Sequence, residues 1–153
     1  MKSGRAVLRT QVAIIGSGPA GLLLAHLLRV AGVDSVILER RSRDYVQSRI
    51  RAGVLERVTV ELLRKVGAAD RLRRDGLAHA GVNLACDGEM FRIDYQALAG
   101  APLTVYGQTE VTKDLIDAAV ALGMPLVFEA EDVAIHGIDG DVPHVTYLSL
   151  IHI

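Results

Sequence analysis

The chain has 153 residues, 50% of them apolar, with 17 basic against 18 acidic side chains and a formal net charge of −1. That apolar content is enough for one substantial core and excludes a disordered chain, while the near-zero charge gives no reason to expect nucleic acid or an anionic membrane as a partner. A single cysteine, Cys86, excludes an intrachain disulfide, argues with the scattered histidines against a zinc site, and fits a reducing, cytoplasmic compartment.

Lys2, Arg5 and Arg9 precede an apolar stretch in the manner of a leader or membrane anchor. A spanning helix needs about 20 mostly apolar residues. Residues 12–33 instead are broken by Gly16, Gly18, Pro19 and Gly21 and carry His26 and Arg29. They read as the start of an α/β domain, with residues 1–9 as an extension ahead of it. Residues 11–15 predict a buried parallel strand that needs a neighbour on each flank, and an uncovered edge there invites aggregation. Residues 19–30 predict a helix, with Pro19 in its first turn and Gly32 just past its end. Residues 35–38 predict a second strand.

Gly16-Ser17-Gly18-Pro19-Ala20-Gly21 joins the first strand to the helix, and Glu39 closes the second strand. Gly16 lets the chain turn off the strand, Gly18 lets backbone approach a pyrophosphate, and Gly21 lets the helix pack on the sheet. The helix N-terminus then faces the anion. Glu39 lies 39 − 21 = 18 positions past Gly21, close to the spacing of about 20 expected for the acid that binds the adenosine ribose. Its charge would repel a 2′-phosphate, so the site suits FAD or NAD rather than NADP. Motif and acid do not separate those two. An NAD-dependent dehydrogenase domain and a non-catalytic nucleotide-binding fragment therefore stay open at this point.

Residues 40–51 hold Arg40, Arg41, Arg43, Arg49 and Arg51 against Asp44 alone and are expected to form a loop. If extended, Arg49 and Arg51 fall on one side, where both guanidinium groups can clamp one pyrophosphate. Leu55, Val58, Leu62, Leu63 and Val66 recur at helical spacing up to Gly67, with Glu61 and Lys65 as an i,i+4 pair. A short helix is expected over residues 69–74. Residues 82–85 and 91–93 flank Asp87-Gly88, a hairpin signal. Val111, Leu115, Ala118 and Leu122 form another helical stripe, stopped by Gly123 and Pro125, with Lys113, Asp114 and Asp117 expected on its solvated face. Residues 126–128 predict a third parallel strand, and residues 133–136 and 145–147 shorter ones. His26, His136, His144 and His152 lack ligand spacing and carry no assigned role.

From residue 11 to residue 147 the chain resembles the N-terminal part of the flavoprotein aromatic hydroxylases. The resemblance is carried by VAIIGSGPAGLLLAHLL (residues 12–28), VILER (36–40), DYVQSRIRAGVLE (44–56), RDGLAHAGV (74–82) and TVYGQTEVTKDL (104–115). The first string belongs to many flavoproteins. The third and fifth are narrower and point within the family to members acting on 4-hydroxybenzoate.

The resemblance implies a Rossmann-like FAD-binding βαβ with a parallel sheet over residues 10–147, plus an antiparallel hairpin at residues 82–94 on the substrate-domain side. It implies that Gly16, Ser17, Gly18, Pro19, Ala20 and Gly21 hold the FAD pyrophosphate and that Glu39 binds the ribose. Arg49 and Arg51 would lie along the pyrophosphate and pyridine-nucleotide path, the backbone from Arg49 through Ile50, Arg51, Ala52 and Gly53 to Val54 would line the flavin side, and Gln108 would reach the FAD chain. NADPH, favoured over NADH, would meet Arg40, Arg41 and Tyr45 at its adenosine end; arginine at position 41 departs from the usual pattern of NADPH-preferring members. His79 matches a histidine at the outer end of a proton relay that deprotonates the phenol, a task suited to an imidazole with an ordinary pKa of about 6.5.

The implied reaction converts a 4-hydroxybenzoate-like substrate to its 3,4-dihydroxy product with NADPH and O2, in a cytoplasmic homodimer without nucleic-acid or membrane partners. Family members are far longer, and their remaining flavin and substrate residues fall outside this sequence, so the fragment alone is expected to be inactive. Residues 148–153 contain no Lys, Arg, Asp or Glu and depart from the polar hairpin the family places there, which reads as a non-native tail.

Overall fold

A computed structural model describes residues 7–50 and 52–149. The first half of the chain runs β1 (Val12–Ile15), α1 (Pro19–Val30), β2 (Ser35–Leu38), α2 (Arg43–Ser48), β3 (Val54–Leu55), α3 (Arg57–Lys65) and α4 (Asp70–Asp75). It continues through β4 (Leu77–His79), β5 (Gly81–Cys86), β6 (Glu89–Asp94), α5 (Tyr95–Ala99), β7 (Leu103–Val105), α6 (Gln108–Ala121), β8 (Leu126–Val127), β9 (Glu131–His136) and β10 (His144–Leu148).

The parallel sheet has the order β1-β2-β8. β1 pairs with β2 from Val12↔Ser35 to Ile15↔Leu38, and β2 pairs with β8 through Ile37↔Leu126 and Leu38↔Val127. Among the described residues β1 is thus an edge strand, and Ile15 is exposed. α1 begins on Pro19, whose fixed φ suits a first helical position and whose missing N–H costs nothing there. Its inner face and that of α6 share one core with the sheet, in which Leu22, Leu115 and Ile116 are fully buried and Ile37 nearly so. Each such side chain contributes about 1.5–3 kcal/mol relative to an exposed position.

His26 belongs to that core. It is 1% exposed, and its Nε2 lies 2.9 Å from the Leu115 carbonyl, so it donates across from α1 to α6. The sequence offered no role for this histidine because its partner is a backbone oxygen far along the chain. Replacing His26 by alanine removes a buried hydrogen bond and opens a cavity. The expected loss is about 2–4 kcal/mol of unfolding free energy, read as a lower midpoint in urea titration.

Several expectations are corrected. Residues 40–51 are not all loop: Ser42 caps α2, its Oγ accepting from the Tyr45 amide at 3.2 Å, with Asp44 in the first turn. The charge run masked an ordinary N-cap signal. Leu55 lies in β3 and not on the following helix, which starts at Arg57. Glu61 pairs with Arg57 at 3.7 Å instead of with Lys65. Of the charged face expected on α6, Lys113 and Asp117 are exposed, Asp117 meeting Arg43 at 2.5 Å on the surface, whereas the Asp114 side chain is only 10% exposed.

The structure also holds an antiparallel sheet of order β3-β7-β4, and the short helix α5, beyond the elements expected from the sequence. In that sheet Val54 and Leu55 face Val105 and Thr104, and Leu77 to His79 face Val105 to Leu103. The hairpin around Asp87-Gly88 is present as β5-β6, with Asp87 at φ 51° and Gly88 at φ 82°. The third parallel strand ends at Val127, and β9-β10 closes the described chain as a second hairpin that includes Leu148, opposite Glu131.

Candidate functional site

The turn after β1 is built from backbone that only glycine supplies at two points. Gly16 adopts φ +107°, which lets the chain leave the strand abruptly, and its amide donates to the Leu38 carbonyl at 2.8 Å. At Gly21 a Cβ would lie 2.2 Å from the Gly16 carbonyl oxygen and 3.2 Å from Ile14 Cγ2, so glycine is what lets α1 press against β1. Gly18 differs. A Cβ there would meet nothing within 4 Å, so the bare backbone is not demanded by the protein's own packing and leaves room for an outside group. No side chain caps the N-terminus of α1 and no acid sits in its first turn, which leaves its N–H dipoles for an anion.

Ser17 and Glu39 lock this turn to the end of β2. Ser17 is fully buried, and both its amide (2.9 Å) and its hydroxyl (3.2 Å) donate to Glu39 Oε2. Glu39 Oε1 accepts from the Arg41 amide at 2.8 Å. The Glu39 backbone is held as well, its N–H donating to Val127 and its carbonyl accepting from Ala130. A carboxylate fixed at both oxygens still has lone pairs for vicinal ribose hydroxyls. These features fit the adenosine and pyrophosphate portions of a dinucleotide.

A cleft of about 350 Å³ opens beside Glu39 and unites Gly18, Pro19, Arg40, Arg41, Tyr45, Arg49 and Gln108 with that carboxylate. Two of its lining residues, Val46 and Thr112, carried no sequence signal. Thr112 Oγ1 donates to the Gln108 carbonyl at 2.8 Å and so steadies the first turn of α6. Both Arg41 and Arg49 lie over the Tyr45 ring, at 5.0 and 5.5 Å from its centroid. This cation–π pairing gives the rim of the cleft a positive edge.

The remaining expected residues are placed unevenly. Arg51 lies outside the described residues. Ile50 and Val54 are exposed and do not line the cleft. Ala52 and Gly53 are tied to the start of α6: the Gln108 amide donates to the Ala52 carbonyl at 3.3 Å and the Tyr106 amide to the Gly53 carbonyl at 2.8 Å. A Cβ on Gly53 would lie 3.0 Å from Gly107 Cα, so the two segments touch backbone to backbone. His79 sits exposed on β4 opposite Leu103, away from the cleft lining.

A polar network that the sequence did not reveal lies behind α6. Tyr106 OH donates to Asp114 Oδ2 at 2.6 Å, while Arg71 Nη1 donates to Asp114 Oδ1 at 2.7 Å and Arg71 also binds Glu110. Burial, followed by the Asp114 carboxylate, pushes the Tyr106 phenol well above the usual tyrosine range. Among the described residues no group of three or more His, Cys, Asp or Glu is placed to hold a metal, and no helix is long and apolar enough to cross a membrane.

Comparison with known proteins adds to this geometry. A family model described as FAD binding domain matches residues 9–149. The p-hydroxybenzoate hydroxylase of Acinetobacter baylyi is 52% identical over 143 residues, which is 93% of this chain and 35% of the relative. Among solved structures, p-nitrophenol 4-monooxygenase from Pseudomonas putida aligns with a TM-score of 0.70 at 26% identity, over 89% of this chain and 35% of its own. A probable FAD-dependent monooxygenase from Pseudomonas aeruginosa aligns at 0.73 and 20% identity, over 90% of this chain and 38% of its own, a likeness of fold alone.

Proposed function

The chain belongs to the FAD binding domain family, and on that premise we propose that it is the adenosine- and pyrophosphate-holding part of a longer FAD-dependent aromatic monooxygenase acting on 4-hydroxybenzoate or a close phenol. The chain spans only 35% of the p-hydroxybenzoate hydroxylase it matches, so the activity belongs to the whole protein. The observation that carries the reading is the cleft in which the glycine turn, Glu39 and the start of α6 converge.

In this reading Gly16, Ser17, Gly18, Pro19, Ala20 and Gly21 present the α1 N-terminus to the FAD pyrophosphate, and Glu39 accepts from the ribose hydroxyls. Gln108 and the Ala52–Gly53 backbone bound the path towards the flavin, with Arg49, Ile50, Arg51 and Val54 alongside. Bound FAD supplies the redox chemistry that activates O2 for ring hydroxylation. Arg40, Arg41 and Tyr45 meet the adenosine end of NADPH, where a guanidinium over an aromatic ring suits a 2′-phosphate. His79, exposed on β4, passes the phenolic proton to solvent. The working protein is a cytoplasmic homodimer, as in the family the chain resembles.

The test uses the full-length parent protein. It should purify yellow with FAD, oxidise NADPH faster than NADH, and turn 4-hydroxybenzoate into the dihydroxy product. A colourless protein would overturn the flavin reading, and equal rates with the two nucleotides would overturn the choice of NADPH. In the same assay His79→Asn should slow substrate deprotonation; an unaltered rate across the pH range would remove that role.

A further inference from the structure

The Tyr106, Asp114 and Arg71 network lies outside the cleft lining, yet its bonds end on α6, whose Gln108 and Thr112 line the cleft, and on Gly53, which packs against the start of that helix. Tyr106 is fixed at both ends: its hydroxyl donates to Asp114 at 2.6 Å and its amide donates to Gly53 at 2.8 Å. It also immediately precedes Gly107 and Gln108, where α6 begins. Arg71 reaches from α4 to Glu110 and Asp114, which stand four residues apart on one side of α6. One guanidinium therefore clamps the first two turns of the helix. The Gln108 amide in turn holds the Ala52 carbonyl, and Gly53 packs closely against Gly107, where a Cβ would lie 3.0 Å from the Gly107 Cα.

We propose that Tyr106, Asp114 and Arg71 are positioning residues for FAD: they set the pitch of the first turn of α6, and through Gln108 and the Ala52–Gly53 backbone they fix the wall against which the cofactor lies. The role rests on the FAD reading above. Asp114 is the hinge of the arrangement, because its Oδ1 takes Arg71 and its Oδ2 takes Tyr106. Removing the hydroxyl leaves one oxygen of a carboxylate whose side chain is 10% exposed without its donor, and takes away the side-chain tie between residue 106 and α6. Loss of the Arg71 clamp lets Glu110 and Asp114 repel each other across one turn.

The experiment measures FAD dissociation from the full-length parent protein, with far-UV circular dichroism confirming an equal folded fraction, for wild type, Tyr106→Phe and Arg71→Met. His26→Ala serves as a control that removes the α1–α6 bond to the Leu115 carbonyl and leaves the bonds among Tyr106, Asp114, Arg71 and Gly53 in place. Tyr106→Phe is expected to bind FAD about tenfold more weakly, the equivalent of about 1.4 kcal/mol, with an altered visible circular dichroism band of the flavin. Arg71→Met should shift both readouts in the same direction, while His26→Ala keeps the wild-type values. Wild-type affinity and spectrum in Tyr106→Phe would overturn the proposal, as would an equal loss in His26→Ala, which would mark the network as ordinary support. If wild type itself binds no FAD, the flavin reading fails first; if wild type binds and Tyr106→Phe matches it, only the positioning role fails.

Discussion

Gly21→Ala is expected to strip the parent protein of its flavin and to lower its melting temperature by about 4 °C. The added methyl would sit 2.2 Å from the Gly16 carbonyl oxygen, a backbone atom that cannot rotate away because the Gly16 amide is held by Leu38 and its φ is already +107°. Relief requires lifting α1 from β1, which opens the packing around Leu22 and Ala25, both fully buried. Overpacking against backbone belongs at the upper end of the usual range, about 3 kcal/mol, and in a parent protein of the relative's length, of which this chain spans 35%, that corresponds to roughly the stated shift. Gly18→Ala provides the contrast. Its Cβ meets nothing in the protein, so the melting temperature of the apoprotein should hold while FAD affinity falls at least tenfold. Differential scanning fluorimetry of the apoproteins and flavin titration separate the two, and a Gly21→Ala protein that melts like wild type would sink the packing argument.

The second large effect is expected at Glu39. Glutamine keeps the length of the side chain but replaces one acceptor oxygen by a donor. Both Glu39 oxygens already accept, one from Ser17 N–H and O–H and the other from Arg41 N–H. Whichever way the amide turns, one N–H therefore faces another N–H. The substitution costs the tie between the glycine turn and β2, about 1–3 kcal/mol, together with the charge-assisted bonds to the ribose. FAD should dissociate about 100-fold more readily from Glu39→Gln, measured by fluorescence titration of the apoprotein. Glu39→Asp keeps the charge but is too short to reach both Ser17 and Arg41, and should fall between the two. Unchanged affinity in Glu39→Gln would mean that the ribose is bound elsewhere.

What the sequence disclosed depended on whether the signal was local. The strand, glycine turn, helix, strand and terminal acid fall within residues 12–39, at a spacing the motif itself defines, and the structure places the two strands and the helix as read. α2 is masked in the sequence although its cap is present, because Ser42 and Asp44 are embedded among the five arginines of residues 40–51. The β3-β7-β4 sheet was illegible for another reason: strands of two or three residues have no period to detect, and their partners lie tens of residues apart. Asp114 read as one member of an exposed charged face because Arg71 and Tyr106, which bury it, come from other elements. The same holds for His26 and the Leu115 carbonyl.

The parallel sheet also dictates an order of events during synthesis. β2 receives β8 through Ile37↔Leu126, and His26 finds Leu115 at a separation of 89 residues. The glycine turn, although contiguous in sequence, therefore has neither its third strand nor its covering helix when it leaves the ribosome. Contacts of such long range close slowly, since loop entropy opposes them before any burial is gained. At about 5–20 residues per second, the first strand and helix wait several seconds with their apolar faces open.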